Sequence, residues 1–393
     1  MIDRRLVASI DWLLVGATVL LTIVGILMVY SATEGARGRS GATRKGEEIG
    51  ATKSGEVERA PSPRARKGRS QATKQLIGAG LGLVALLVTL GVDYRRLVDR
   101  AVLLYVAAVA VLAGALAFAP RIATTKRWFL IGGFQVQPSE FVKVAAALFL
   151  ARIFAESRHE SLGLREVAPA GIAIGGLFVL IAAAPDLGTA ICLLPLFLAV
   201  AFLAGLRMKA VAGLVLSLAI VGGIGWTFFV RDYQKMRVYT FLNPRLDPRG
   251  AGYQKIQSEI AVGSGGFLGK GFMQGSQTQL EFLPVAHTDF VFSVLAEEMG
   301  FLGVAVVLGL YLFVLWRMLE TAQLARDRVG AFLAAGIAAV FAFQVVYNVA
   351  MVAGLVPVKG LPLPLLSYGG SSIIASFISI GLILNVRMRR FAN

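Results

Sequence analysis

Ten long apolar runs constrain the fold of this chain more than any other feature of its sequence. A helix needs about 20 residues to cross the hydrocarbon core of a bilayer, and these runs approach or reach that length. The strands of a membrane β-barrel alternate apolar and polar residues, and these runs do not. Only 16% of the residues are charged, against about 25% in soluble domains. The sequence therefore predicts an all-α polytopic membrane protein, with a single transmembrane domain over residues 1–393. The ten predicted spans are 12–30, 75–92, 101–119, 138–155, 167–184, 187–205, 210–229, 290–316, 331–353 and 371–387.

The basic residues of the connections predict the orientation of these spans. Lys and Arg accumulate in short loops on the cytoplasmic side, and with ten spans those of this chain fall on one side. They are Arg4, Arg5, Arg95, Arg96, Arg100, Arg207, Lys209, Arg317, Arg326, Arg328, Arg387, Arg389 and Arg390. Both termini are then cytoplasmic, and residues 230–289, between spans seven and eight, form a large outward loop. Because the basic residues form no compact domain, the net charge of +16 does not indicate nucleic-acid binding.

Residues 32–74 interrupt the pattern of apolar runs. This segment has eleven Lys and Arg against five acidic residues and no aromatic residue. It cannot bury enough apolar surface to fold by itself, so we predict a disordered basic insertion in the first external loop. Two alternatives stay open for its role: a contact with anionic lipid or polymer, or an unconstrained spacer.

The segment 254–300 carries the most information about function. Five glycines occur within 263–271, which predicts a mobile cover, a source of backbone donors, or merely tight turns. Lys270 is a basic candidate for substrate binding in this loop. The segment ends in His287, Thr288 and Asp289, directly before the eighth span. Asp289 is either an N-cap, worth about 1 kcal/mol, or a catalytic carboxylate with His287 as a hydrogen-bonding neighbour.

Further polar residues stand at the ends of other spans, where an ionisable group suggests function. Glu140 and Lys143 are three residues apart and share one face of the fourth span, either as a self-neutralising pair or as part of a site. Arg127 precedes that span. Asp186, in the turn before the sixth span, is either a helix cap or a residue that orients a cation in a cavity.

The segment 355–372 is rich in Pro and Gly, which predicts non-helical backbone lining a cavity. Its Ser367 and Ser371 are candidate substrate-binding residues. A metal site of the usual zinc kind is not expected, because the chain has one cysteine, Cys192, and two well-separated histidines, His159 and His287.

These motifs, in this order, resemble the SEDS family (shape, elongation, division and sporulation), the RodA/FtsW/SpoVE proteins of bacteria. The matching motifs are KRW with QPSEFVK, PDLGT, YQKMRVYTFLNPRLDPRGAGYQKIQSEIAVGSGGFLGKG, FLPVAHTDFVFSVLAEEMG and GLVPVKGLPLPLLSYGGSS. They cover nearly the whole chain apart from 32–74. GKG at 269–271 and the GSQTQLEFLP that follows are more similar to RodA, the elongation branch, than to FtsW, the division branch. The stretch KGLPLPLLSYGGSS is closer to a mixture of the two, so the division branch stays open as an alternative. One departure is Val285-Ala286, where the family often has Glu after the Pro.

The resemblance implies a peptidoglycan glycosyltransferase that polymerises lipid II in the bacterial cytoplasmic (inner) membrane, with its active site on the outer side. The family's essential aspartate matches Asp289, and the residues matching Arg127, Glu140, Lys143 and Asp186 lie in or near its central cavity. The resemblance also implies a class B penicillin-binding protein, other elongation-complex proteins and membrane lipids as partners. No cofactor is expected beyond a divalent cation, Mg²⁺ or Mn²⁺, carried by the substrate diphosphate.

From this resemblance we expect Asp289 to be the base and Arg127 and Lys143 to bind the diphosphate of the donor. Two other classes of protein fit the same residues. A lipid II flippase or transporter would also have cavity charges and broken helices, and a scaffold would only recruit a transpeptidase. Formation of glycan from purified lipid II separates the enzyme from both.

Overall fold

The protein is described by a computed structural model for residues 9–34, 63–119, 128–131, 134–157, 162–228, 232–248, 250–280 and 282–391. Helices stand at all ten predicted positions. The helices are α1 Trp12–Glu34, α2 Pro63–Gly91, α3 Tyr94–Asp99, α4 Ala101–Phe118, α5 Pro138–Glu156, α6 Leu164–Ala183, α7 Leu187–Ile191, α8 Leu193–Leu203, α9 Met208–Phe228, α10 Asp232–Leu242, α11 Ala251–Ser264, α12 Ser276–Gln279, α13 Val291–Gln323, α14 Arg328–Val352 and α15 Gly370–Met388. Two short strands, β1 Phe129–Ile131 and β2 Phe134–Val136, form an antiparallel hairpin in which Phe129 faces Val136.

Seven of the described helices are long and apolar enough to cross a membrane: α1, α4, α6, α13, α14, α15 and the Gln71–Gly91 part of α2. The predicted all-α polytopic class is therefore confirmed, whereas the count of ten spans is not. The sixth predicted span is divided into α7 and α8, and α5 and α9 are not among the seven. The fourth predicted span, α5, carries Glu140 and Lys143, which it buries inside the protein instead of exposing them to lipid.

The prediction of disorder over 32–74 is wrong for its first three residues, which belong to α1, and for its last twelve. Helix α2 begins at Pro63, ahead of the apolar run. The residues that precede the run include Arg, Ala, Lys and Gln, which are good helix formers, and they extend a helix that the membrane span has already nucleated. Residues 35–62 of the predicted insertion lie outside the described part of the chain.

Helices α14 and α15 form the centre of the bundle: they are the most enclosed of the membrane-crossing helices, 67% and 89% buried. Helix α15 packs along α2 over most of its length. Glycines allow this close approach: a Cβ on Gly82 would stand 2.5 Å from the Phe377 ring, and one on Gly381 would stand 3.2 Å from the Leu86 carbonyl. The pairing brings the start of α15 beside Gln75 and Gly78, near the start of the membrane span in α2.

Ion pairs place the two ends of the described chain together. Arg387, near the end of α15, lies 3.4 Å from Asp11, and Arg317 lies 2.8 Å from the same carboxylate. Arg95 pairs with Asp327 at 2.9 Å in the same region. The two described ends of the chain therefore lie at the same end of the bundle. We call this end the terminal end. The opposite end, where the membrane span of α2 and helix α15 begin, is the cavity end.

Candidate functional site

A cavity of about 630 Å³ lies at the cavity end, within the range of about 300–1,000 Å³ that is typical of ligand sites. Four segments line it: the start of the span in α2, the hairpin region 128–137, the segment 285–289 and the loop 360–372. Among its described lining residues, Asp289 supplies the carboxylate and Lys74 the cation. The rest of the polar lining is made of amides, hydroxyls, His287 and aromatic side chains.

Asp289 stands on the wall of this cavity, directly before α13. Phe290, not Asp289, occupies the N-cap position of that helix. The backbone carbonyl of Asp289 accepts a hydrogen bond of 3.1 Å from Nδ2 of Asn348. Its carboxylate lies against Gly360, whose absent Cβ would stand 3.3 Å from Oδ2. The aspartate is thus fixed through its backbone and faces the cavity from a closely packed wall.

His287 lies on the same wall and joins it to α2. Its Nε2 is 3.5 Å from Nε2 of Gln71, and its ring meets that of Tyr368 edge-on, with 5.6 Å between the ring centres. The backbone N–H of Tyr368 donates to the His287 carbonyl at 3.0 Å. The structure therefore brings the predicted residues His287 and Asp289 together, on one side of the cavity.

Ser371 lines the cavity at the start of α15, and Asp186 lies behind it. The backbone N–H of Gln137 donates to Oγ of Ser371 at 2.8 Å, and the Gln137 side chain donates to Asp186 at 2.6 Å. Ser139 donates to the same carboxylate oxygen at 2.9 Å. Asp186 also caps α7, because it accepts from the Thr189 N–H. It is 2% exposed and does not line the cavity, but Gln137, which donates to it, does.

Glu140 and Lys143 form a buried ion pair of 3.0 Å between α5, α14 and α15. They line a separate cavity of about 20 Å³ and are not among the lining residues of the large one. Opposite charges at this distance neutralise each other. The structure thus fits the first of the two alternatives above, a self-neutralising pair. The structure does not place Lys143 where it could bind a diphosphate in the large cavity.

Lys270 and the glycine-rich loop bind to α13 and do not cover the cavity. Lys270 pairs with the fully buried carboxylate of Glu297 at 2.7 Å and also donates to Ser276 at 2.8 Å. The backbone N–H groups of Lys270 and Gly271 donate to the carbonyls of Glu297 and Glu298, both at 3.0 Å. These carbonyls are free to accept because α13 is kinked at Gly300, where φ is +63°. The residues 263–271 are not among the described lining residues of the cavity, and the backbone donors of Lys270 and Gly271 serve the kinked helix.

The remaining two predicted residues lie elsewhere. Ser367 is buried inside the loop 360–372, where its Oγ accepts from the Leu363 N–H at 2.9 Å, and it does not line the cavity. Arg127 lies outside the residues that the structure describes. Both stay predictions as substrate-binding residues.

Sequence reasoning missed Lys74, Gln71 and Tyr368, all of which line the cavity. Lys74 and Gln71 fell within the segment predicted to be disordered. The position of Lys74 in the sequence could have identified it as a candidate. It lies one residue before an apolar run, where a basic side chain stands at a membrane interface. Tyr368 lies between Ser367 and Gly369, in the loop already predicted to line a cavity.

A bundle of apolar helices that encloses a polar cavity with a carboxylate on its wall defines a multi-pass membrane protein with an internal ligand site. Known proteins of this class are similar to this chain. The family model FTSW_RODA_SPOVE, described as "Cell cycle protein", matches residues 62–391. The chain therefore belongs to the FtsW/RodA/SpoVE family.

Two curated relatives and one solved structure illustrate the similarity. The chain is 39% identical to "Peptidoglycan glycosyltransferase MrdB" of Escherichia coli (strain K12), over 79% of this chain and 84% of that protein. It is 36% identical to "Probable peptidoglycan glycosyltransferase FtsW" of Geobacter sp. (strain M18), over 98% of both. A solved structure described as "Structural coordination of polymerization and crosslinking by a peptidoglycan synthase complex" aligns with a TM-score of 0.76 and 31% identity, over 98% of this chain and 99% of that one.

Proposed function

We propose that this chain, a peptidoglycan glycosyltransferase, polymerises lipid II in the cavity at the cavity end, with Asp289 as the general base. The position of Asp289 carries the proposal, because it supplies the carboxylate among the described residues that line a cavity large enough for a sugar substrate. The relatives named as glycosyltransferases favour this activity over a flippase or a scaffold.

The proposed reaction is an inverting displacement at the anomeric carbon of the donor. The carboxylate of Asp289 takes the proton of the acceptor sugar's 4-hydroxyl as that oxygen attacks the anomeric carbon. The new β-1,4 carbon–oxygen bond forms while the bond to the undecaprenyl diphosphate breaks, and its electron pair leaves with the diphosphate. A diphosphate is a stable anion, so the second carboxylate that glycosidases use as a general acid is not required.

The leaving diphosphate needs a nearby positive charge. Lys74 lines the same cavity as Asp289, whereas the ammonium of Lys143 is neutralised by Glu140. We therefore assign the diphosphate to Lys74, with Arg127 as a further candidate. Gln71, Gln137 and the ring of Trp128 are suited to a sugar, since amides bond to hydroxyls and aromatic rings cover apolar sugar faces.

A divalent cation would be held mainly by the substrate. The described residues contain no group of three or more His, Cys, Asp or Glu side chains close enough to hold a metal ion, and Asp289 supplies the carboxylate among the described lining residues. Mg²⁺ is commonly bound by one or two carboxylates together with substrate phosphates. Such an ion would neutralise the diphosphate as it leaves, beside Lys74.

The orientation and the partners are also part of the proposal. We place the cavity end at the outer face of the cytoplasmic membrane and the basic terminal end in the cytoplasm, because Lys and Arg favour that side. A class B penicillin-binding protein and other elongation proteins are the proposed partners. The related structure described as a complex for polymerisation and crosslinking supports the first of these. Assignment to the elongation branch rests on the GKG motif at 269–271.

The test uses the full chain, purified with its transpeptidase, and labelled lipid II. Asp289→Asn keeps the size of the side chain but removes the base, and loss of a general base lowers turnover by about 10²–10⁴-fold. Asp99→Asn, at the exposed end of α3, is the matched control and should polymerise like the wild type. Near-normal glycan synthesis by Asp289→Asn would falsify the base assignment.

A further inference from the structure

A buried amide on α14 joins the two loops that form the Asp289 wall. Asn348 is fully buried, and its Nδ2 donates to the backbone carbonyl of Asp289 at 3.1 Å and to that of Leu361 at 2.9 Å. Leu361 follows Gly360, the residue that lies against the Asp289 carboxylate. A single side chain thus ties the backbone of Asp289 to the loop that packs on its carboxylate.

The chemistry of this contact requires an amide nitrogen. Both neighbours are carbonyl oxygens, which only accept hydrogen bonds, so the side chain must present its NH₂ group, and both hydrogens are used. The Oδ1 atom of Asn348 has no hydrogen-bond partner among the described residues. A buried acceptor without a partner is unfavourable. The orientation of this side chain is therefore fixed by the two hydrogen bonds from Nδ2 to the loops, because Oδ1 makes none among the described residues.

Helix α14 gives the amide a rigid base. It packs against α5, α8 and α13 near the centre of the bundle, and most of its residues are buried. Asp289 stands outside helical structure, two residues before α13, and Gly360 lies in a loop without regular structure. The position of the carboxylate consequently depends on what holds these two loops to the bundle.

We infer that Asn348 is a positioning residue for glycosyl transfer, which holds Asp289 and the loop at 360–361 in one fixed geometry. The inference rests on the proposed role of Asp289 as the base. Asn348 does not line the cavity, so it acts on the reaction through Asp289 and not by touching substrate. A base displaced by about 1 Å loses up to about 100-fold in rate, while the sites that bind the substrate stay in place.

The test compares Asn348→Leu with Asn385→Leu in the complex with the transpeptidase. Asn385 is also fully buried, and its Nδ2 also donates to backbone carbonyls, those of Thr89 at 2.7 Å and Val92 at 2.6 Å, but at the terminal end. Both variants lose a buried amide that joins segments of backbone, and both should lose thermal stability. We expect kcat to fall about 10- to 100-fold in Asn348→Leu with KM for lipid II within a few-fold of the wild type. Asn385→Leu should keep kcat per folded molecule.

Two outcomes overturn the inference. One is an unchanged kcat in folded Asn348→Leu, and the other is an equal fall in kcat in both variants, which would indicate a general loss of stability. If Asn348→Leu does not fold, Asn348→Ser replaces it, because its hydroxyl keeps one donor and should give an intermediate kcat; a wild-type kcat in that variant counts against the inference. Asp289→Asn in the same assay separates the two proposals. If Asp289→Asn is active, the base assignment is wrong. If Asp289→Asn is inactive while Asn348→Leu is fully active, only the positioning role of Asn348 is wrong.

Discussion

The carboxylate of Asp289 lies against Gly360, in space that a side chain at position 360 would need. A Cβ at position 360 would stand 3.3 Å from Oδ2 and 3.7 Å from Oδ1. The other side of Gly360 is also occupied, because a Cβ on Gly188 would stand 3.1 Å from the Gly360 carbonyl. Gly360 is therefore packed between the carboxylate of Asp289 and Gly188, and a side chain at position 360 would press on the carboxylate.

Gly360→Ala should consequently impair catalysis. The new methyl group would press on Oδ2 of Asp289 and displace it by a few tenths of an ångström, for which we expect kcat to fall by about tenfold. Lipid II polymerisation with initial-rate kinetics measures the effect. Gly175→Ala is the control, since a Cβ there meets nothing within 4 Å; equal rates for the two variants would show that the contact with Asp289 is unimportant.

Lys74→Gln should weaken binding of the donor. A hydrogen bond to a charged group contributes about 1.5–3 kcal/mol, so we expect KM for lipid II to rise by about 10-fold or more. The exposed Lys209, at the terminal end, provides the matched variant Lys209→Gln, which should behave like the wild type. An unchanged KM in Lys74→Gln would show that Lys74 does not bind the diphosphate, and Arg127 would then be the candidate.

Lys359 should give the protein a pH-dependent stability. Burial, with the nearby Arg237 guanidinium as a second cause, lowers the pKa of Lys359 from 10.5 to about 8. Between these two pH values the unfolded chain binds the proton and the folded chain does not, so this residue makes stability rise with pH from about 8 to about 10.5. Below that window the folded protein holds an unfavourable, partly buried charge.

Lys359→Met removes this charge and tests the assignment. We expect the variant to have a higher Tm than the wild type at about pH 7 and a smaller advantage at about pH 10. Thermal unfolding in detergent at the two pH values measures the difference, with Lys209→Met as the exposed control. The same advantage at both pH values would contradict a lowered pKa for Lys359.

The ion pair of Lys270 and Glu297 should hold the glycine-rich loop to the kink of α13. Removing the lysine leaves a fully buried carboxylate without its cation, which costs about 3–5 kcal/mol when one partner of a buried pair is lost. Lys270→Met should therefore lower Tm and expose the loop around 265–275 to protease. Glu297→Gln added to this variant removes the stranded charge and should restore much of the stability; a purely additive double variant would show that the pair is not coupled.

Hydropathy alone predicted much of this protein. Each membrane-crossing helix contains an apolar run, although α2 begins twelve residues before its run, because the free energy of placing a helix in lipid depends on the side chains of that one segment. The positions of Asp289, His287 and Ser371 at the ends of such runs likewise led to the cavity, since polar residues at span ends meet where the spans meet. The family assignment, carried by motifs in a fixed order, is confirmed by the match over residues 62–391.

The partners of the polar side chains were decided by the tertiary structure. The sequence contains Lys74, Lys143 and Lys270 as equivalent cations, but the fold pairs Lys143 with Glu140 and Lys270 with Glu297 and leaves Lys74 on the wall of the cavity. Asn348 and Asp289 are 59 residues apart, and their contact exists only because α14 packs behind both loops. Burial in lipid is a property of each segment and can be summed along the chain, whereas a hydrogen bond or an ion pair depends on a few ångströms of distance between segments that only the packed fold brings together.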